Sequence, residues 1–539
     1  MPALHGSADA LVLAKAAQDL KSRQQMLVAI VANASDARRL LEEIPWFSDE
    51  TEEPLRCHLL PDWETLPYDS FSPHQDLVSQ RLATLYEVSN GRCDVLLVPA
   101  STALLRIAPP AFLAAHTFYF KQGETLDEEK LKSQLTIAGY NHVSQVMSPG
   151  EYSVRGGLID LFPMGSKLPY RLDLFGDTIE TIRTFDPDNQ RSLYPVREIR
   201  MLPGHEFPMD ENSRAFFRSR WREVFEGDPT LSVIYRDIAS GIASAGIEYY
   251  LPLFFEETTT LFRYLPENAV FAMIGNVNEA FQRFWADTQS RYNFLKSDRE
   301  RPLLAPEKLF LTSEDFFVLA QPFARWVIQT DDAPSELSAP IPDVSVNRRA
   351  DDPLANLRAY IKRADKRVMI CAESPGRRET MQQFFNEYDF KVTPCTGFAD
   401  FATSKEQVMF GISPVQKGFA LGYVFGDLAF ITETELYANS GRRAGRKRTE
   451  AVAHIESIVR DLSELKIGDP VVHANHGIGR YRGLVTVDLG EGETEFLHLQ
   501  YAKDTKLYVP VSQLHVISRY AGTSADDAPL HTLGSGQWE

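Results

Sequence analysis

Apolar and polar positions along the chain fall into two rhythms. The runs MLVAIVA at 26–32 and CDVLLVPAS at 93–101 are uninterrupted and of strand length, and each leads into a stretch of helical period. The first of these stretches, SDARRLLEEI, has Ser35 as its expected N-cap. Strand–helix alternation of this kind implies a parallel sheet with helices on its faces. It resumes between 204 and 325, where SRAFFRSRWREVF is an amphipathic helix and AVFAMIG another buried strand. Residues 330–353 are rich in Pro, Ser and Asp without hydrophobic period and read as a linker. Residues 354–435 alternate again through LANLRAYIKRA, RVMICAES, GRRETMQQFFNEY, QVMFGIS and LAFITETEL, which predicts a small α/β domain. From 466 to 520 the pattern is all strand, four or five short runs cut by glycine turns, as in a small barrel.

The second rhythm is strict alternation, and it dominates residues 151–187. In Tyr170 to Phe175 it places Tyr170, Leu172 and Leu174 on a core face and Arg171, Asp173 and Phe175 on the opposite one. An aromatic flanked by an arginine and a carboxylate is the composition of an interface centre. The alternative is that another layer of the same domain covers Phe175 while Arg171 pairs with Asp173 or Asp177. Arg155 cannot be assigned a face by counting, because Gly156 and Gly157 permit a bulge. In RYRGLVTVD, residues 480–488, Leu484 and Thr486 share one face and Val485 and Val487 the other. Either one apolar pair fills a core and the other is contact surface, or the strand is interior and both are buried.

A length of 539 residues predicts three to five domains. Hydrophobic residues make up 44% and charged residues 24%, and no apolar run approaches the roughly 18 residues of a membrane span. The start MPALHGSADALVLAK lacks the basic and apolar regions of a signal peptide, so a cytoplasmic location without membrane contact is expected. Cys57, Cys93, Cys371 and Cys395 form no zinc spacing, and His473 and His476 have no third ligand nearby. The net charge of −18 works against gripping duplex DNA and favours protein partners. Arg442 to Arg448 is the basic exception, readable as a solvated run or as a contact for phosphate or an acidic patch.

Catalytic patterns are absent. No G-x-x-x-x-G-K-[ST] string occurs in the sequence, and in HGSADALVLAK Gly6 and Lys15 are far out of that spacing. No D-E-x-H or G-x-S-x-G string is present either. Glu42/Glu43, Glu128/Glu129 and Glu256/Glu257 are sequence neighbours that point apart, which excludes paired acid–base roles. In WETLPYDSFSPHQD, residues 63–76, Trp63 and Tyr68 are either loop-packing residues or remnants of a nucleotide- or DNA-contacting surface.

Residues 151–187 resemble the second domain of the excision-repair protein UvrB, whose pattern has V-R-G, D-I-F-P and F-D-P, matched here by VRG, DLFP and FDP. LPDWETLPYDSFSPHQDLVSQRLATLY at 60–86 resembles the first domain of the transcription-repair coupling factors, the Mfd family, and the likeness continues to LYVPVSQLHVISRYAG at 507–522. GDPVVHANHGIGRY and YVPV resemble the Tudor-like RNA-polymerase-interacting domain shared with CarD-type regulators. The resemblance implies an α/β multidomain chain: a degenerate helicase-like parallel-sheet domain (1–117 and 204–329) with an inserted UvrB-like mixed sheet domain (118–203). There follow a linker (330–353), the small α/β domain (354–435), a basic linker and helix (436–462), and a C-terminal Tudor-like β-barrel (463–522). Residues 523–539 would begin a linker to a motor of helicase superfamily 2.

By the same resemblance the inserted domain binds UvrA through Arg155, Arg171, Asp173 and Phe175. Asp173 stands where UvrB often has Glu, and Leu174 where it often has Phe. The barrel binds the β subunit of RNA polymerase through Arg482, Gly483, Leu484 and Val487, Val487 foremost, by strand pairing. No cofactor is expected for these residues; ATP, magnesium and most DNA contact belong to the motor. Arg171→Ala and Phe175→Ala are expected to weaken UvrA binding with stability nearly unchanged. Two competing readings are a UvrB-type ATPase, disfavoured by the missing P-loop, and a CarD-like regulator without a repair role, disfavoured by residues 151–187.

Overall fold

The computed structural model describes residues 2–48, 53–329, 335–422, 426–437, 467–473, 477–488, 493–502, 505–510, 517–519 and 530. The uninterrupted apolar runs form a five-stranded parallel sheet in the order Ala324–Ile328, Val270–Ile274, Leu27–Val31, Val95–Pro99, Cys57–Leu59. The central strand shows why such runs need no alternation. Val28 and Ile30 enter one core and Leu27, Ala29 and Val31 the core on the other face, so both sides are dry. The following helix begins earlier than expected: Ala34–Phe47 is preceded by Asn33, whose side chain makes no capping bond, and Ser35 lies inside the first turn. The chain has already turned after Val31, which leaves no room for a cap at Ser35.

Between the halves of this sheet lies an inserted unit. Phe118–Lys121 and Glu198–Met201 pair antiparallel at its neck. Its body is a six-stranded mixed sheet ordered Ser192–Val196, Thr178–Phe185, Tyr170–Phe175, Leu158–Phe162, Glu151–Arg155, Asn141–His142, with only the last pair parallel. Tyr152, Ile159, Leu161, Leu172 and Ile182 on one face join the core that also holds Val28 and Ile30.

The stretch expected as a linker does structural work instead. Ser338–Ala339 adds an antiparallel strand to Phe419–Leu421, completing a six-stranded sheet, and Val344 is fully buried. A two-residue strand and one isolated valine carry no period, which is why the composition hid them. This second α/β unit shares a core with the first: Leu27, Phe47, Met369, Phe419 and Phe430 are one cluster. The N-terminal segment is seated in the seam. His5 N–H donates to Ser338 Oγ at 2.9 Å, Ser7 N–H to the Lys417 carbonyl at 3.0 Å, and a Cβ at Gly6, whose φ is +55°, would lie 2.3 Å from the Gly418 oxygen. Arg39 on the following helix is buried there between Asp9 Oδ2 and Glu43 Oε2, each at 2.6 Å, and Gln416 N–H donates to Glu43 Oε1 at 2.9 Å.

The last unit is a five-stranded antiparallel sheet, ordered Lys506–Pro510, Glu493–Gln500, Gly477–Asp488, Pro470–His473, Ile517–Arg519. Its core is Val471, Tyr481, Leu497, Leu499, Tyr501, Val509 and Ile517. The basic run Arg442–Arg448, the helix expected over IESIVRDLSEL, and His476 lie outside the described residues.

The aromatic loop packs inward. Trp63 Nε1 donates to Glu206 Oε2 at 2.9 Å, Tyr68 donates to the Leu304 carbonyl at 2.9 Å, and both side chains are buried. Trp63 ties the first unit to the segment that follows the insert's exit strand, and Tyr68 ties two segments of the first unit together. Beneath the same loop Glu248 accepts from Ser72 Oγ at 2.9 Å, and burial pushes its pKa up to about 7. A carboxyl raised above its unfolded value of about 4.5 stabilises the fold fully below that value, and the contribution is lost as pH rises through 7. Glu248→Gln should therefore gain on the wild type by roughly 3 kcal/mol between pH 5 and pH 8 in denaturant unfolding. A difference that stays flat with pH would show that Glu248 is ionised in the folded chain.

Candidate functional site

The outer face of the inserted sheet is built on one carboxylate. A tight turn at Gly156, φ +61°, pairs Arg155 with Leu158 and sets Ser153, Asp160, Arg171 and Arg183 in one row across four strands. Asp160 is 1% exposed. Its Oδ2 accepts from Arg155 Nη2 at 2.7 Å and from Arg171 Nη2 at 2.9 Å, while Oδ1 accepts from Arg171 Nε at 2.7 Å. The Arg171 guanidinium also donates to the Gln190 carbonyl at 3.2 Å and lies 4.7 Å above the Phe185 ring. Its hydrogen bonds to Asp160, and then the charges of Asp160 and Asp173, raise its pKa above the ordinary value.

Arg171 is thus held by its own domain on every side, its side chain only 17% exposed. The pairing with Asp173 or Asp177 does not occur; Asp173 accepts from Thr181 Oγ1 at 2.6 Å instead. Removing the Arg171 side chain would strip a fork from a buried carboxylate, so the expectation of unchanged stability is corrected. Arg155 keeps about half its surface in solvent. The sequence reading missed Asp160, although it stands in the same GLIDLFP signature; only the strand register reveals which arginines it joins.

The alternation read for Tyr170 to Phe175 matches the geometry. Leu172 is fully buried, Tyr170 and Leu174 pack against the inner core, and Phe175 is 79% exposed. A bulge opposite Asp173 and Leu174, which leaves Glu180 unpaired, followed by a turn at Gly176 with φ +63°, carries Phe175 to the hairpin tip. No second layer covers it among the described residues. Beside it runs a groove of about 610 Å³ lined by Phe175, Thr178, Ile179, Lys121 and Arg197.

A second candidate surface lies on the Gly477–Asp488 strand. It pairs with Glu493–Gln500 along most of its length, but with Pro470–His473 only through Gly477–Arg480. From Leu484 onward one edge has no strand partner among the described residues. The register breaks between Tyr481 and Leu484, where Gly483 adopts φ +109°, and Arg482 Nε donates to Gln500 Oε1 at 2.5 Å. Leu484 and Val485 are both exposed, at 41% and 36%. Leu484 and Val485, neighbours on opposite faces, thus both lie outside the core; the Thr486 and Val487 side chains lie outside the description.

Three family descriptions match these units: UvrB interaction domain over residues 118–207, MFD D3 domain over 360–436, and CarD-like/TRCF RID domain over 465–521. Curated relatives align over nearly the whole chain. A transcription-repair-coupling factor of Escherichia coli is 41% identical, the alignment covering 95% of this chain and 44% of the relative. That of Haemophilus influenzae is 39% identical over 98% and 46%, and that of Bacillus subtilis 26% identical over 86% and 40%. The chain belongs to the transcription-repair-coupling factor family, as its N-terminal region. It spans somewhat under half the length of these relatives. Both surfaces described above fall inside matched domains, the Asp160 row within the UvrB interaction domain and the half-free strand within the CarD-like domain. No helix among the described residues is long and apolar enough to cross a membrane.

Proposed function

We propose that this chain is the adaptor portion of a coupling factor, joining UvrA at the inserted sheet to RNA polymerase at the C-terminal sheet. The observation that carries the reading is Phe175, an aromatic 79% exposed at the tip of a rigidly braced sheet inside the UvrB interaction match. Arg155, Arg171 and Asp173 complete that surface, Arg171 chiefly by holding Asp160 in place. On the other surface the unpaired edge from Leu484 onward receives an edge strand of the polymerase β subunit, with Val487 central and Arg482, Gly483 and Leu484 flanking it. The C-terminal sheet is the described part of a Tudor-like barrel. The parallel-sheet unit is a helicase-like domain without its P-loop, so ATP, magnesium and DNA translocation belong to a motor elsewhere in the full protein, which displaces stalled polymerase.

The test is a crossed binding experiment. Phe175→Ala should weaken UvrA binding about thirtyfold, the effect of roughly 2 kcal/mol typical of a truncated interface aromatic, with the melting temperature and polymerase binding unchanged. Val487→Arg should do the reverse, abolishing polymerase capture and sparing UvrA. Wild-type UvrA affinity in Phe175→Ala would overturn the assignment of the sheet face.

A further inference from the structure

Arg183 stands directly across the strand pair from Arg171. Two like charges in that position destabilise a sheet. Arg171 is compensated by Asp160, but Arg183 is exposed and has no ion-pair or hydrogen-bond partner among the described residues. Its other neighbour in the row is Pro195 on the edge strand, which supplies no charge. The buried Asp160 already serves Arg155 and Arg171, both oxygens being engaged. The row therefore presents an unanswered positive charge on the face that ends in Phe175, on a chain whose net charge is −18.

The geometry points to Arg183 as a further UvrA-contacting residue, whose guanidinium receives a carboxylate of that partner and sets specificity for an acidic patch beside the Phe175 site. This rests on the UvrA reading above and deepens it. Arg171 and Arg183 divide the work: Arg171 is a positioning residue that stiffens the face, and Arg183 is the free fork. An exposed fork suits a carboxylate because both its N–H rows are available for a bidentate bond. The neutral edge strand next to it, Ser192–Val196, places Pro195 opposite and leaves the approach open.

The experiment measures UvrA binding to the full 539-residue chain in wild type, Arg183→Ala, Arg183→Glu and Phe175→Ala, with melting temperatures and a salt series. Arg183→Ala should lose about tenfold and Arg183→Glu about a hundredfold, since a like-charge contact replaces an attraction. The Ala variant should also bind with a shallower salt dependence. Its melting temperature should hold or rise, because the repulsion with Arg171 is relieved. Arg183→Lys should recover part of the affinity. If Phe175→Ala loses binding while both Arg183→Ala and Arg183→Glu bind as wild type, the Arg183 inference fails and the UvrA reading stands. If the wild type does not bind UvrA, the UvrA reading itself fails. If Arg183→Glu loses affinity for a DNA duplex and not for UvrA, the ligand is phosphate and the proposal is overturned.

Discussion

Asp160→Ala should destabilise the inserted sheet by about 3–5 kcal/mol, the usual consequence of removing one partner from a buried charge cluster. The carboxylate is 1% exposed and takes three hydrogen bonds from two arginines. Without it Arg171 keeps only the Gln190 carbonyl and the Phe185 ring, and two guanidinium groups face each other with no anion between them. Asp160→Asn should fall between, because an amide accepts through one oxygen and turns a donor toward the second fork. In a chain of several units one global unfolding energy is poorly defined. The measurement is therefore hydrogen exchange of the Glu151–Phe185 amides, which should speed by two orders of magnitude or more while those of Arg367–Ala372 keep their protection. By the proposed reading UvrA binding should fall as well, though Phe175 is untouched and Arg155 loses only its anchor. Unchanged protection would mean that the arginines are anchored by something other than Asp160.

Arg39→Ala should be comparably damaging, and at a different place. Arg39 is 4% exposed and bonds Asp9 and Glu43, themselves 1% and 0% exposed. Removing it leaves two carboxylates buried side by side under the small α/β unit, again about 3–5 kcal/mol. The loss should depend on pH in a definite direction. Glu43, buried, already has its pKa pushed up to about 7 from 4.5, and Arg39 is the leading influence holding it down. Without the arginine the folded pKa rises further, so the proton is bound more tightly in the folded state. The deficit then grows as pH rises through about 7 and is constant well below it, where Glu43 is protonated in the folded state of both proteins. Thermal unfolding of both proteins at pH 5 and pH 8 reads this. An equal deficit at both would assign the damage to lost packing rather than to charge.

Much of the architecture is legible in the chain because the burial pattern of each strand is written in its own residues. Leu27 to Val31 is apolar throughout and is buried on both faces; Tyr170 to Phe175 alternates and has one wet face. Features depending on partners distant in sequence are not legible. Asp160 looks like any polar strand residue until the register sets it opposite Arg171. Ser338 and Val344 sit in a polar stretch whose composition says linker, yet their partners, His5 and the core around Phe410 and Ile431, make them structural. Local competition is also invisible: Asn33 and Ser35 are equally good capping residues by type, and the turn after Val31 gives the position to Asn33. In the candidate site the alternation finds Phe175 and misjudges Arg171, since exposure of a long side chain depends on what it can reach across the sheet.

The seam around Gly6 has a consequence for how the chain is made. Ser7 and Lys417 are separated by 410 positions. At the roughly 5–20 residues per second of synthesis, the first helix, Ala8–Ser22, waits on the order of half a minute for the surface that completes its burial. Until then the apolar side formed by Leu4, Leu11 and Phe47 is open to the solvent or to a chaperone. The insert and the face of the parallel sheet turned toward it can close beforehand, because their shared core draws on residues no later than Phe323. The order of assembly is thereby set: the inserted sheet matures early on the ribosome, and the N-terminal helix is locked only once the Phe419–Leu421 strand emerges.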